Sequence, residues 1–145
     1  MADDRIGLRP RGRAMSLDVQ QDLLEQAERG EVDAAEFAEC VRTSLPYAWE
    51  TIAGLTAELG ADGRLEFGDN EVPPPDEQAR GQLLRALASD AIRQALERHF
   101  GVTLAFQNCH RVAVFPADAA STPTYARFTS ARAQLLNQSP LLRDC

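Results

Sequence analysis

The residues best equipped for chemistry stand together at Gln107-Asn108-Cys109-His110-Arg111, between two apolar runs. An imidazole such as His110, with an ordinary pKa near about 6.5, is the side chain that carries protons at neutral pH. Asn108 can donate to an oxygen that gains negative charge, and Arg111 can grip a carboxylate through two parallel bonds. Gln107 adds a polar contact and Phe106 an apolar wall. Cys109 beside His110 suggests a thiol nucleophile, but neighbours on a strand face opposite ways, so the two meet only if a turn twists them together. The plainer reading of the same five residues is a polar hairpin tip with no role in chemistry.

Three further clusters carry weaker signals. In Phe67-Gly68-Asp69-Asn70-Glu71-Val72-Pro73, Asn70 can hold a peptide and Glu71 can act as a base or receive an ammonium group; an ordinary Asx turn explains the same pattern. In Pro46-Tyr47-Ala48-Trp49-Glu50, Trp49 and Tyr47 can wall a peptide pocket with Glu50 at its edge; core packing is the plainer role of the single tryptophan. Arg80, Gln82 and Arg85 fall on the first turns of a helix, where free backbone N–H groups favour anions, or they are simply solvated charge. No phosphate loop, dinucleotide fingerprint, nucleophile elbow or metal-ligand pair is present in the sequence. Cys40, Cys109 and Cys145 form no C-x-x-C pair, and His99 and His110 are the only histidines, so neither a metal site nor a disulfide scaffold is expected. All 15 basic residues are arginine. Without lysine, Schiff-base and phosphate-loop lysine chemistry are excluded.

These clusters must be positioned by elements that the apolar spacing outlines. The 145 residues fit one domain. Residues 1–15 read as a disordered leader, with Met15 an alternative start. A first helix follows Ser16 as cap, with Val19, Leu23 and Ala27 at helical spacing and Gly30 as its end. Asp33 and Glu36 resemble a capping box for a second helix carrying Phe37, Val41 and Leu45. Pro46 breaks the chain into a third, with Trp49, Ile52, Leu55 and Leu59, ended by Gly60. Residues 61–75 form an ordered loop rich in glycine and proline. Asp76 caps a long helix over 77–99 that Gly101 ends. VTLAF and RVAVF then predict a short β-hairpin, 102–106 with 111–115, or one continuous strand. A helix fits 123–137, with Thr122 as cap, Pro123 at its start and Phe128, Ala131 and Leu135 inward. The expected fold is therefore mainly α, a compact bundle of four to five helices with a short β-hairpin near 102–115. Residues 16–116 make the helical domain and 117–145 a C-terminal extension.

Charge is segregated along this chain. The leader is net +2, residues 16–79 are net −13 and residues 80–145 net +4, for a total of −7. The two halves are suited to face each other within one chain or across a dimer. A sequence pI near 4.8 argues against a nucleic-acid partner. No apolar run is long enough for a membrane span and no signal peptide is visible, so a cytoplasmic location is expected.

The segments SLPYAWETI, FGDNEVPPP, RGQLLRALASDAIRQALERHFGV and FQNCHRVAVF together resemble the lysinoalanine-forming proteins of cinnamycin- and duramycin-type lanthipeptide biosynthesis, over about residues 16–116. That resemblance implies an aza-Michael addition of a peptide lysine amine to dehydroalanine, without cofactor or metal, on a homodimer that binds a ribosomally made peptide. A hydroxylated aspartate of the peptide itself would help to move the proton. On our own reading of the residues, Asn108, His110 and Glu71 suit the catalytic roles, and Arg111, Arg80, Arg85, Gln107, Asn70, Trp49, Tyr47, Glu50 and Phe106 suit substrate binding. The competing expectation is a peptide-binding module without chemistry, acting as chaperone, immunity or regulatory protein.

Overall fold

The computed structural model describes residues 16–107 and 111–136. The leader 1–15, the residues Asn108, Cys109 and His110, and the chain from 137 onward lie outside the described residues. Within them, the order is α1 (Gln21–Arg29), α2 (Ala34–Ser44), α3 (Pro46–Ala61), β1 (Gly68–Asp69), α4 (Glu77–Ala88), α5 (Asp90–Phe100), β2 (Val102–Gln107), β3 (Arg111–Pro116), a 3-10 turn (Ala119–Ser121), α6 (Pro123–Phe128) and α7 (Ala131–Leu136). The fold is mostly helical, with a small antiparallel sheet of order β1-β3-β2.

Local chemistry explains most boundaries. Asp33 accepts the Glu36 N–H at 2.9 Å and so caps α2. The other half of that capping box is supplied from a distance: Gln26 of α1 accepts the Asp33 N–H and donates to the Glu36 carboxylate, both at 2.9 Å. Asp76 caps α4 by accepting the Ala79 N–H at 2.8 Å. Gly30 (φ 79°) and Gly101 (φ 67°) close α1 and α5 in the left-handed conformation that glycine adopts without strain. Gln82 of α4, itself buried, accepts the Tyr47 and Ala48 N–H groups at 2.6 and 3.3 Å. It thereby satisfies orphan donors at the start of α3, whose own cap residue is the apolar Leu45.

The hairpin is real, and each face of its sheet has its own core. Side chains alternate across a strand. Leu104, Val112 and Val114 face the helices and pack with Val41, Leu45, Ile52, Leu83, Ile92 and Leu96. Ala105, Ala113 and Phe115 face the other way and are covered by Phe67, Ala119, Tyr125 and Phe128. The C-terminal segment therefore roofs the second face of the sheet. Sealing Phe115, which is fully buried there, contributes about 1.5–3 kcal/mol.

Several boundaries differ from the sequence reading, each for a local reason. The helix expected after Ser16 starts only at Gln21, because residues 17–20 are held extended: the Asp18 N–H donates to Ser44 Oγ at 2.8 Å, and the Asp18 carbonyl accepts the Cys40 thiol. α3 runs past Gly60 to Ala61. The long helix is two helices, because Ser89 breaks it and its Oγ accepts the Ile92 N–H as the cap of α5. The helix expected over 123–137 is also two. Thr129 and Ser130 hydroxyls bond back to the Tyr125 and Arg127 carbonyls and interrupt it. Leu135, expected to face inward, is exposed. Residues 68–69 of the loop form a third strand, with Gly68 opposite Val114 and Asp69 opposite Ala113.

Candidate functional site

The two ends of the hairpin tip, Gln107 and Arg111, are direct partners across the β2–β3 ladder. Their odd-numbered positions put both side chains on the face roofed by α6. There they line a hollow of about 320 Å³ together with Phe67, Arg127, Phe128 and Arg132. Asp69 reaches the same place from β1. Its Oδ2 accepts from Arg111 Nε at 2.7 Å and from Nη2 at 2.5 Å. The Arg111 guanidinium also sits 6.0 Å from the Phe128 ring centroid, within range of a cation–π contact. Phe128 is in turn held edge-on by Phe67 (5.5 Å) and Phe115 (5.6 Å).

Gln107 is the most constrained polar group here. Its side chain is buried, and its Nε2 donates to the Phe128 carbonyl at 2.8 Å. That bond fixes which way the amide points, because the flipped amide would set oxygen against oxygen. Gln107 Oε1 is then left buried without a hydrogen-bond partner. A buried acceptor left unmet costs about 1–3 kcal/mol. It is the one such side-chain atom among the described residues.

The hollow thus combines three guanidinium groups, two phenyl rings and one acceptor lacking a donor. Arginine stays protonated at any physiological pH and cannot shuttle protons. Its planar fork is suited to gripping carboxylate or phosphate oxygens. Among the described residues, the site sets one carboxylate against these three charges, that of Asp69, whose bond to Arg111 occupies part of the clamp expected of that residue.

The other sequence candidates are not gathered here. Asn70 works as a strut: its Oδ1 accepts the Val112 N–H at 2.9 Å and its own N–H reaches the Val112 carbonyl at 3.3 Å, extending the sheet. Glu71 is exposed on the following loop. Trp49 is buried in the main core and meets the rings of His99 (4.6 Å) and Phe100 (4.9 Å) at a tilt, with Tyr47 packed beside that core and Glu50 exposed. Arg80 and Arg85 lie on α4, whose N-terminal amide end is already capped by Asp76. Phe106 is half-buried on the face opposite Gln107. Asn108 and His110 are outside the described residues. No group of three or more His, Cys, Asp or Glu side chains able to hold a metal occurs among the described residues.

Arg127 and Arg132 were not singled out by the sequence. Their signal was the surplus of eight arginines over four acids in residues 80–145. They stand on α6 and α7, on either side of the break at Thr129-Ser130, and both line the hollow.

The comparisons with known proteins correct the resemblance drawn from the sequence. No curated protein and no solved structure matches the chain. The family that does match is KH_NucS_shadow, described as NucS shadow ORF, and not a lysinoalanine-forming family. The lanthipeptide assignment is withdrawn, and with it the basis for the aza-Michael reaction. Because the match spans residues 15–145, the C-terminal segment that roofs the sheet included, the chain belongs to the NucS shadow ORF family.

Proposed function

We propose that the protein is a binding module without chemistry of its own, and that the hollow lined by Gln107, Arg111, Arg127 and Arg132 holds an acidic peptide segment of a protein partner. The observation that carries this reading is the pairing of Arg111, Arg127 and Arg132 with the unmet acceptor Gln107 Oε1. A carboxylate-bearing peptide answers both needs. Its carboxylate oxygens accept from the guanidinium groups, and a backbone N–H donates to Gln107. A phosphodiester group offers acceptors only, so a nucleic acid meets Gln107 only if a base N–H also reaches it. The phenyl rings of Phe67 and Phe128 supply the apolar contact that such Arg-cluster recognition of acidic motifs also needs.

The letters KH in the family's name favour a second reading, single-stranded nucleic acid. KH modules clamp the nucleic-acid backbone with a G-x-x-G loop. The one G-x-x-G spacing in this chain is Gly60-Ala61-Asp62-Gly63. It lies at the carbonyl end of α3, where the helix dipole opposes an anion, and it contains Asp62, whose Oδ1 accepts the Arg64 N–H at 3.0 Å. The turn between α4 and α5 holds Ser89 and Asp90 in place of glycines, and Ser89 occupies the amide end of α5. The net charge of −7 opposes both anions alike, so the choice rests on the unmet Gln107 Oε1 and on the poor fit of the G-x-x-G segment, which together make the acidic peptide the better-supported ligand.

Calorimetry tests the choice. A short glutamate-rich peptide, its glutamine counterpart and a single-stranded oligothymidylate are titrated into the protein and into Arg127→Glu and Arg132→Glu. We expect the acidic peptide alone to bind and each charge reversal to weaken it by tenfold or more, the loss of at least one charge-assisted bond of about 1.5–3 kcal/mol. Preference for the oligonucleotide overturns the peptide reading in favour of the second. Equal binding by the reversed variants removes the hollow from the account.

A further inference from the structure

We propose that the open edge of β2 takes an extended, uncharged segment of a partner protein as a fourth strand of the sheet. In the order β1-β3-β2, the outer side of β2 has no neighbouring strand among the described residues. Thr103, Leu104, Ala105 and Phe106 all line one cleft of about 560 Å³. Side chains alternate across a strand, so four consecutive residues share a cleft only where it runs along the strand's edge. α5 packs on one face of the sheet and Tyr125 on the other. The cleft is therefore walled on both sides, by Arg93 and Glu97 of α5 and by Ala120 and Tyr125.

The directions of the backbone groups select the occupant. Val112 turns its N–H and C=O toward Asn70, away from β2. Its opposite residue on β2 is Phe106, which therefore points its own N–H and C=O away from β3, as does Leu104 two residues earlier. The Leu104 N–H agrees with this: it donates to the Glu97 carboxylate at 2.8 Å. That oxygen stands where the carbonyl of a fourth strand would stand, so one rung is already filled by a side chain. The next is open. The Leu104 C=O and both backbone groups of Phe106 have no partner among the described residues. They call for two donors and one acceptor at strand spacing, which an extended backbone offers along its length. A helix cannot, because its own ladder uses those groups. Charge plays no part in the choice: Arg93 is paired with Asp90 at 3.1 Å, and Glu97 is held by Leu104.

A second copy fits less well. Its own β2 lies on the floor of the same walled cleft, so two such edges meet wall to wall before their backbones can pair. A single extended segment enters without that obstacle. The site is also separate from the hollow, since no residue lines both.

The test uses the full chain and a fluorescein-labelled peptide of about six residues, threonine and valine in alternation, which favours the extended state. Fluorescence anisotropy should show saturable binding. The same peptide N-methylated at every residue keeps its side chains and loses its donors, and should bind about tenfold more weakly or worse. Phe106→Pro removes the outward N–H, which β3 does not use, and should weaken binding as much; Phe106→Leu keeps that group and should bind like the parent. Circular dichroism verifies that both variants stay folded. Hydrogen exchange followed by nuclear magnetic resonance needs no variant: the Phe106 N–H should exchange fast in the free chain and slowly once the peptide is added. Absence of binding, equal binding of the N-methylated peptide, or unchanged exchange at Phe106 overturns the proposal. A Phe106 N–H already slow in the free chain shows an edge filled from within the molecule and overturns it as well. Dimers by sedimentation that Phe106→Pro dissociates assign the edge to a second copy instead. Charge reversal of Arg127 and Arg132 should leave this binding unchanged, so its outcome is independent of the peptide reading of the hollow.

Discussion

The apolar groove between α1, α2 and α5 and the hollow under the hairpin are both concave, yet they are built on different principles. The groove is shaped by apolar side chains that the fold leaves partly uncovered, and Arg98 is the one charged residue in its lining. The hollow is shaped by directed groups: Gln107 is oriented by the Phe128 carbonyl, and Arg111 by Asp69 and the Phe128 ring. It shares Phe67 and Phe128 with the small core on the second face of the sheet. A surface made from leftover apolar area can be altered with little effect on stability. A site made from core residues cannot, because the groups that recognise are also groups that pack.

The largest expected contrast follows directly. Phe128→Ala should cost about 3–5 kcal/mol, because it removes a buried ring and leaves space against Phe67 and Phe115. Leu24→Ala in the groove should cost under about 1 kcal/mol, since that side chain is already half in water. Paired urea denaturation curves measure both, and equal losses would erase the distinction.

Asp69→Ala sharpens the account of the hollow with two effects of opposite sign. Its carboxylate is 16% exposed and bonded to Arg111, so its loss should cost about 1–3 kcal/mol of stability. The same change releases Arg111 and removes a competing negative charge, so affinity for an acidic peptide should rise. Thermal melts and calorimetry on one sample separate the two effects. A fall in affinity would mean that the orientation Asp69 gives Arg111 matters more to the ligand than its competing charge.

Gln107→Leu should cost about 1 kcal/mol. It removes the unmet acceptor, which is favourable, but leaves the Phe128 carbonyl without its donor. Peptide affinity should fall about tenfold. Unchanged affinity would show that no ligand donor reaches Gln107.

The smallest effect belongs to the acidic helices. The Arg42 guanidinium beside Glu39 holds its carboxyl below the usual glutamate range. A carboxylate with a depressed native pKa adds stability above its unfolded pKa and loses it as pH falls through the native value. The pair lies at the surface, so Glu39→Gln should differ from the parent only by a slight flattening of the acid limb of the melting temperature, and salt should abolish even that.

Local signals in the sequence were enough to place much of this. Asp33, Asp76 and Thr122 act as caps, Gly30 and Gly101 as stops, and the hairpin 102–107 with 111–116 follows its β-branched flanks. What escaped depends on partners far apart in the chain. Ser89 lies within a continuous apolar face, and only the tertiary packing decides that its cap breaks the helix. The strand at 68–69 exists because Asn70 finds Val112, 42 residues away. The hollow escaped because Arg127 and Arg132 look like ordinary surface charge until the C-terminal segment folds over the sheet. Gln107 and Arg111 were legible as a polar pair, but the plane on which they meet Phe128 was not.

The central claim is that a peptide's carboxylates enter the hollow among its arginines. Side-chain nuclear magnetic resonance tests it at the atoms concerned, by following arginine Nε–Hε and glutamine amide signals while the glutamate-rich peptide is added. The account predicts that the signals of Arg127, Arg132 and Gln107 move together and saturate, while Gln94 at the groove stays still. Shifts centred on the groove, or a still Gln107 beside moving surface arginines, would contradict it.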